Sequence, residues 1–181
     1  MAVIIASQVI PRDKFNALLK DLIVELKKAP AISNGKKRIM LVGSANDDVD
    51  FVKVIEESGA LVVSDTVCFG ARTYINQVDE KGDAFHALAE HYLVNNICPR
   101  MLGCYPERLA YIKDLVQKSN IDGAVLQNVR FCDLHGSENG VIERDLEAQG
   151  IPCMRLEREY GPLAETGRIR MRIDALIERI R

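Results

Sequence analysis

The sequence predicts a small α/β domain with a doubly wound parallel sheet of four strands and an N-terminal helical appendage. Short apolar runs alternate with longer segments whose apolar residues recur at helical spacing. Glycine, asparagine and aspartate stand where these segments meet, as is usual at helix caps and turns. Strands separated by helices of this length imply right-handed crossovers, and therefore parallel pairing.

The appendage covers residues 1–35, and we expect the α/β domain to cover residues 36–181. Pro11 is well placed to begin a helix. The apolar residues of that helix share one face: Phe15, Leu18, Leu19, Leu22, Ile23 and Leu26. The following segment APAISNGKK (29–37) contains Pro, Ser, Asn and Gly and is interpreted as a linker.

The first half of the domain contains two predicted strands and two predicted helices. In chain order these are strand 38–43, helix 46–59, strand 60–65 and helix 83–96. Asn46 or Asp47 is expected to cap the first helix, and Gly59 to end it. The second helix carries an apolar stripe: Phe85, Leu88, Ala89, Tyr92 and Leu93.

The second half continues the alternation. In chain order it predicts helix 105–120, strand 123–128, helix 137–150, strand 152–157 and a helix that closes the chain. Four strands with helices on both faces predict a flavodoxin-like sheet of order 2-1-3-4. The expected core of this sheet includes Val42, Val62, Val63, Val125 and Leu126.

Composition excludes several classes of function. The net charge is −2, so the chain has no basic footprint for nucleic acid or for an anionic membrane. Tryptophan is absent, which disfavours base stacking. No segment is apolar for long enough to cross a bilayer, and the first residues lack the features of a signal peptide. We therefore expect a cytoplasmic protein, whose five cysteines are thiols or metal ligands before they are disulfides.

The candidate functional residues follow the strands, because ligands bind such sheets outside the carboxyl ends of the strands. Cys132 lies in VRFCDLHG (129–136), after the third strand and before a helix, where a helix N-terminus favours the thiolate form that ligates metal. A buried cysteine that acts as a small hydrophobe is the alternative. Cys68, in DTVCFGART (65–73) after the second strand, is more readily explained as structural.

The other cysteines and histidines carry weaker signals. Cys98 and Cys104 have five residues between them, which is not a usual zinc spacing, and Cys98 is expected outside the site. Cys153 lies in an apolar strand and is expected in the core. His135 is expected either to cap the following helix or to point into the crevice. His86 and His91 are interpreted as surface residues: they are five apart and do not share a helix face.

Several motifs, taken in order, resemble one known family. They are RIMLVGSANDDVDFVKVIEESGALVVSDTVCFGART, YLVNNICPRM, RLAYIKDLVQKSNIDGAVLQNVRFCDLHGSENGVIERDLEAQGIPCMRLEREYG and TGRIRMRIDALIE. Over residues 36 to 180 they resemble the C-terminal domain of the 2-hydroxyacyl-CoA dehydratase and benzoyl-CoA reductase family. The most specific piece is FCD, which contains Cys132.

This resemblance implies an enzyme subunit in which two similar α/β domains hold a [4Fe–4S] cluster. An ATP-dependent activator protein delivers one electron, which forms a ketyl radical from a 2-hydroxyacyl-CoA or reduces the ring of an aromatic acyl-CoA. Cys132 occupies the position of a cluster ligand, and thiolates are the usual ligands of such clusters. Cys68 matches a recurrent family cysteine with a weaker claim to be a ligand. Arg130, Asp133 and His135 would lie around the ligand and hold its loop.

The chain also departs from the family pattern, because family subunits are about twice as long and their first domain supplies further ligand cysteines. Before residue 36 the sequence predicts one helix without cysteine. We therefore expect a single domain that needs a first-domain partner or second subunit, and that holds no cluster alone. A non-catalytic α/β binding module is the alternative function. A flavin or nucleotide domain is disfavoured because no phosphate-cradling loop is present.

Overall fold

The computed structural model describes residues 2–30, 35–74, 76–94, 97–101, 103–161 and 166–180. The chain divides into two compact units, residues 1–36 and residues 37–181. Residues 31–34 of the predicted linker lie outside the described residues. Among the described residues, no helix is both long and apolar enough to span a membrane.

The first unit consists of two helices, α1 (Ala2–Val9) and α2 (Arg12–Lys28). Helix α2 begins directly after Pro11, as predicted, because proline fixes a backbone angle suited to the first turn. Helix α1 was not predicted, since eight residues are too short for a clear helical period. On the predicted apolar face of α2, Phe15 is buried, whereas Leu18 and Leu26 are exposed.

The second unit is built on a four-stranded parallel sheet. Its strands are β1 (Lys37–Gly43), β2 (Ala60–Thr66), β3 (Gly123–Val129) and β4 (Cys153–Arg158). Their order is β2-β1-β3-β4, and every neighbouring pair is parallel. Both the order and the direction that the sequence predicted are confirmed.

Helices cover both faces of this sheet. The helices of this unit are α3 (Val49–Glu57), α4 (Ala84–Ala89), α5 (Tyr105–Lys118), α6 (Asp133–Glu147) and α7 (Thr166–Arg179). A short 3₁₀ turn spans Ala71–Tyr74, and a π-helical turn, Glu90–Val94, follows α4. Apolar residues of α3 and α7 pack on one face of the sheet, and those of α5 and α6 pack on the other.

Two predicted helix starts were wrong. The side chain of Asp48 caps α3 by accepting hydrogen bonds from the N–H groups of Asp50 and Phe51, at 2.9 and 3.2 Å. Asn46 instead accepts from the N–H of Asp48, at 3.1 Å. Helix α6 starts at Asp133, four residues before the predicted start at residue 137, so Cys132 occupies the N-cap position itself.

The core is centred on β1 and β3, and the predicted core residues lie in it to different degrees. Val42, Val125 and Leu126 are buried, whereas Val62 and Val63, on the edge strand β2, are partly buried. The apolar stripe predicted for residues 83–96 does not join this core. Its largest members are exposed: Phe85, Leu88, Tyr92 and Leu93.

Candidate functional site

Cys132 lies at the carboxyl edge of the sheet, three residues after the end of β3. Its backbone N–H donates to the carbonyl of Val129 at 2.9 Å, and its carbonyl accepts from Gly136 at 2.9 Å. The thiol makes no capping hydrogen bond, is half-buried, and lines an open cavity of about 240 Å³. The backbone therefore fixes Cys132 while its sulfur remains available.

The residue before Cys132 has an unusual conformation. Phe131 has φ = 65°, a left-handed angle that is uncommon for a bulky residue. Its side chain is 85% exposed. Such angles persist only where the surrounding structure imposes them, and they cluster at functional loops. In this loop, the left-handed turn ends β3 and starts α6 within three residues.

Arg130 joins the loop after β3 to the end of β4. Its Nε lies 3.5 Å from an oxygen of Glu157, and its guanidinium also forms an ion pair with Glu159. The N–H of Arg130 donates to the carbonyl of Arg158 at 2.7 Å. Asp133 is exposed in the first turn of α6 and, like Glu157, lines the cavity beside Cys132. Two carboxylates therefore line this cavity.

His135 is buried inside the first turn of α6 and does not cap the helix. Its Nε2 lies 3.7 Å from the sulfur of Cys68, and its Nδ1 has no hydrogen-bond partner among the described residues. Burial lowers the pKa of His135 to about 4, with a further lowering from Arg72 and Arg108. The imidazole is therefore neutral at physiological pH.

Cys68 is held by a tight loop that is organised by Asp65. One oxygen of the Asp65 carboxylate accepts from the N–H groups of Val67 at 3.2 Å and Ala71 at 3.0 Å. A Cβ atom at position 70 would lie 1.6 Å from that oxygen, so a larger residue there would displace the Asp65 carboxylate. The loop therefore closes on Asp65 and places Cys68 beside the first turn of α6.

Cys98 lies on the side of Cys68 and does not line the cavity beside Cys132. Cys98 and Cys68 line one cavity, whereas Cys132 lines another. Buried Arg108 contributes to this placement by donating to the carbonyls of Cys98 at 2.9 Å and Met101 at 3.3 Å, while it pairs with Glu138. Across the described ranges, no three ligand-type side chains come together as a metal site.

Arg158, in the loop after the fourth predicted strand, is a second buried arginine. It donates to the Gln127 side chain at 3.1 Å and to the Ala45 carbonyl at 3.2 Å, and it lies 5.1 Å above the Phe51 ring. Gln127 in turn donates to the Ser44 carbonyl at 2.5 Å. These contacts fix the loop after β1 to the ends of β3 and β4. Lone arginines in a sequence look like surface charges, so pattern alone could not show that Arg158 and Arg108 are buried.

The remaining cysteine and histidine predictions have mixed outcomes. Cys153 is buried in β4, as predicted, and burial, then Glu147 and Glu143, raise its pKa to about 12. His86 is exposed, as predicted. His91 is half-buried, and its Nδ1 has no hydrogen-bond partner among the described residues, so the surface interpretation was wrong for it.

The fold and the site define a class: a doubly wound α/β domain that presents thiols after its second and third strands. Comparison with known families identifies the class more closely. The family described as 2-hydroxyglutaryl-CoA dehydratase, D-component, matches residues 1–180, and the chain belongs to this family. This confirms the resemblance seen in the sequence.

The individual relatives include dehydratase subunits and a benzoyl-CoA reductase subunit. The chain is 25% identical over 141 residues to the (R)-phenyllactyl-CoA dehydratase beta subunit of Clostridium sporogenes, covering 78% of this chain and 37% of that one. It is 21% identical over 178 residues to the lactoyl-CoA dehydratase subunit beta of Anaerotignum propionicum, covering 98% and 47%. It is 25% identical over 132 residues to a benzoyl-CoA reductase subunit of Thauera aromatica, covering 71% and 34%. The chain thus spans less than half the length of these relatives.

Proposed function

We propose that this chain forms the C-terminal domain of an iron–sulfur 2-hydroxyacyl-CoA dehydratase or aromatic acyl-CoA reductase subunit, in which Cys132 is one ligand of a [4Fe–4S] cluster. The observation that carries the proposal is the position of Cys132, at the N-cap of α6 with a thiol that makes no capping hydrogen bond. Membership of the dehydratase family supports it. The names of the relatives cover both reaction types, so the proposal includes both substrate classes.

The surroundings of Cys132 suit a cluster ligand. Thiolates are the usual ligands of iron–sulfur clusters, and a helix N-terminus stabilises negative charge on sulfur. The cavity beside Cys132 is open, which leaves room for a cluster shared with another domain. When bound, the cluster would supply one-electron transfer at low potential.

The other residues of the loop would position Cys132. Arg130 holds the loop against Glu157 and Glu159 at the end of β4. His135 is buried in the first turn of α6 and is neutral, so it adds no charge to the loop that carries Cys132. Asp133 lies in the same turn, where a carboxylate is favoured by the helix dipole.

A first-domain partner is the second part of the proposal. The matched relatives are more than twice as long as the segments they share with this chain. Two large aromatic side chains at the carboxyl edge of the sheet are mostly exposed, Phe131 after β3 at 85% and Tyr160 after β4 at 77%. We assign these residues to the surface on which the first domain packs, with the other cluster ligands coming from that domain. An ATP-dependent activator protein would deliver the electron.

Anaerobic reconstitution tests the proposal directly. The full chain is mixed with a first-domain polypeptide from a longer relative, supplied with iron and sulfide, and examined by iron analysis and visible absorption. We expect a stoichiometric cluster with the wild-type chain, none with Cys132→Ala, and an unchanged cluster with the control Cys104→Ala. A full iron content in Cys132→Ala contradicts the ligand assignment. Failure of wild type with several first domains favours a non-catalytic module.

A further inference from the structure

A second cavity lies beside the loop that carries Cys68, and its volume is about 240 Å³. Arg72, Thr73, His91 and Tyr92 line it together with Cys68, and we refer to it as the Arg72 cavity. The cavity beside Cys132 has a different lining, which includes Asp133 and Glu157. The two cavities therefore differ in chemistry: one contains an arginine, the other carboxylates.

Arg72 distinguishes this cavity from the rest of the carboxyl edge. It is half-buried, and within the described residues it makes no hydrogen bond or ion pair. By contrast, the buried Arg108 pairs with Glu138, and the buried Arg158 donates to Gln127 and Ala45. A guanidinium that is partly removed from water and left unpaired favours binding an oxyanion, since its planar donors match carboxylate and phosphate geometry.

Further residues with hydrogen-bonding side chains line the same cavity. They are Thr73, His91 and Tyr92, and the Nδ1 of His91 is buried without a hydrogen-bond partner among the described residues. The π-helical turn Glu90–Val94 brings His91 and Tyr92 to the cavity together. Such turns are frequent at functional sites. Among the described residues that line the cavity, none is a carboxylate that could satisfy Arg72.

Two arginines, Arg72 and Arg108, carry positive charge near the contact between Cys68 and His135. After burial, the charges of Arg72 and Arg108 are the causes that lower the pKa of His135, whose imidazole touches Cys68. Arg108 is already neutralised by Glu138, so the positive charge left without a partner is that of Arg72. An anion bound in this cavity would neutralise that charge.

We propose that the Arg72 cavity binds an oxyanion group of the substrate, a carboxylate or a phosphate. The inference rests on the proposed function in one respect: acyl-CoA thioesters carry phosphates in the coenzyme, and some carry a carboxylate on the acyl group. Arg72 would bind the oxyanion through two donors, with the Thr73 and Tyr92 hydroxyls as further donors. The site is one helical turn of α6 away from Cys132, through the contact between Cys68 and His135.

Calorimetric titration of the full chain tests this inference without a cluster. Four probes separate the two sources of the oxyanion: coenzyme A against pantetheine, which lacks the phosphates, and glutarate against glutaramide, which lacks the carboxylates. We expect at least one anionic probe to bind and its neutral counterpart not to bind. Arg72→Gln should weaken that binding at least about tenfold, and Arg72→Lys less, because loss of a charge-assisted contact has this effect.

Arg144→Gln is the matched control, because Arg144 is an exposed arginine on α6 and its loss changes the net charge equally. Circular dichroism of each variant shows whether it is folded. Equal binding by Arg72→Gln and Arg144→Gln, or no binding of either anion to the wild-type chain, overturns the inference. This outcome is independent of the cluster test, because Cys132→Ala should bind the anion like wild type. Anion binding without a cluster and a cluster without anion binding are therefore distinguishable results.

Discussion

The five cysteines differ in how reactive their positions make them. Cys153 is 1% exposed, and its pKa of about 12 leaves only about one thiolate in ten thousand at pH 8. Cys132 is half-buried at the edge of an open cavity. We therefore expect iodoacetamide to modify Cys132 at least about a hundredfold faster than Cys153 under native conditions. Peptide mass spectrometry over a time course measures both modification rates. As the control, the two cysteines should be modified at similar rates in urea. Faster labelling of Cys153 would remove Cys132 from the site.

His135 makes stability depend on pH. Its pKa is about 4 in the folded chain and about 6.5 when unfolded, so the unfolded chain binds a proton first as pH falls. The contribution of His135 to the free energy of unfolding is fully present above pH 6.5. It decreases by roughly 3 kcal/mol as the pH falls from 6.5 to 4. Denaturant unfolding at several pH values measures this loss. The variant His135→Gln keeps the carboxylate titrations and should lack this part of the slope. An equal slope in both proteins would show that His135 protonates freely in the folded chain.

Sequence patterns located Cys132 and its chain neighbours Arg130, Asp133 and His135, but not the groups that approach them from distant parts of the chain. A cysteine between an apolar strand and a helix is visible in the sequence, because local periodicity sets both elements. Arg108, Arg158 and the contact between Cys68 and His135 arise from tertiary packing between segments 10 to 113 residues apart along the chain. A linear pattern carries no information on such pairs, so the Arg72 cavity could be found only in the structure.

At the scale of elements, glycine at the end of β1 holds the loop against β3. Gly43 has φ = 130°, and a Cβ there would lie 1.8 Å from the carbonyl oxygen of Gln127. Gly43→Ala should therefore destabilise the chain by at least about 3 kcal/mol, through backbone strain and a clash with the backbone of β3. Gly167 in α7 is the matched control, because a Cβ there meets nothing within 4 Å. Gly167→Ala should stabilise by about 0.5 to 1 kcal/mol. Thermal unfolding of both variants compares the two positions, and similar melting temperatures would contradict this account.

Strand β3 is the central element of the core. Leu126 is fully buried and belongs to the cluster formed with α5 and α6. Leu126→Ala should lower the free energy of unfolding by about 2 to 5 kcal/mol, as for other large-to-small core changes. Phe131→Ala, in the exposed loop after β3, should change it by no more than about 0.5 kcal/mol. Chemical denaturation measures both, and a near-zero effect for Leu126→Ala would mean that this strand is not in the core.

Strands β1 and β3 were predictable because burial on both faces gives each one a short apolar run bounded by turn residues. The start of α6 was not, since Gly136 and Gly140 in its first two turns are poor helix formers, and the pattern pointed to a later start. Tertiary contacts override that propensity: His135, inside the first turn, packs against Cys68. The largest residues of the apolar stripe in residues 83–96 are exposed, because helical spacing alone does not distinguish a buried face from an exposed one.

At the scale of the whole molecule, the buried residues of both core clusters lie between Ile39 and Ile180. The two faces of one sheet support them, with Ile39 and Leu41 on one side and Met40 and Val42 on the other. This arrangement explains how a chain less than half as long as its relatives still has its own hydrophobic core. The exposed aromatic residues Phe131 and Tyr160 lie at the carboxyl edge, away from that core, where the proposed first domain would pack.

The two compact units give the last prediction. Residues 37–181 contain the whole sheet and both core clusters, so they should fold without residues 1–36. We expect the truncated chain to unfold in a single cooperative transition, with a denaturant slope smaller only in proportion to the surface removed. Far-ultraviolet circular dichroism and urea titration of both chains provide the comparison. Phe15 is a buried residue of the first unit, so Phe15→Ala in the full chain is the control. If truncation abolished the transition while Phe15→Ala weakened it strongly, the two units would fold as one.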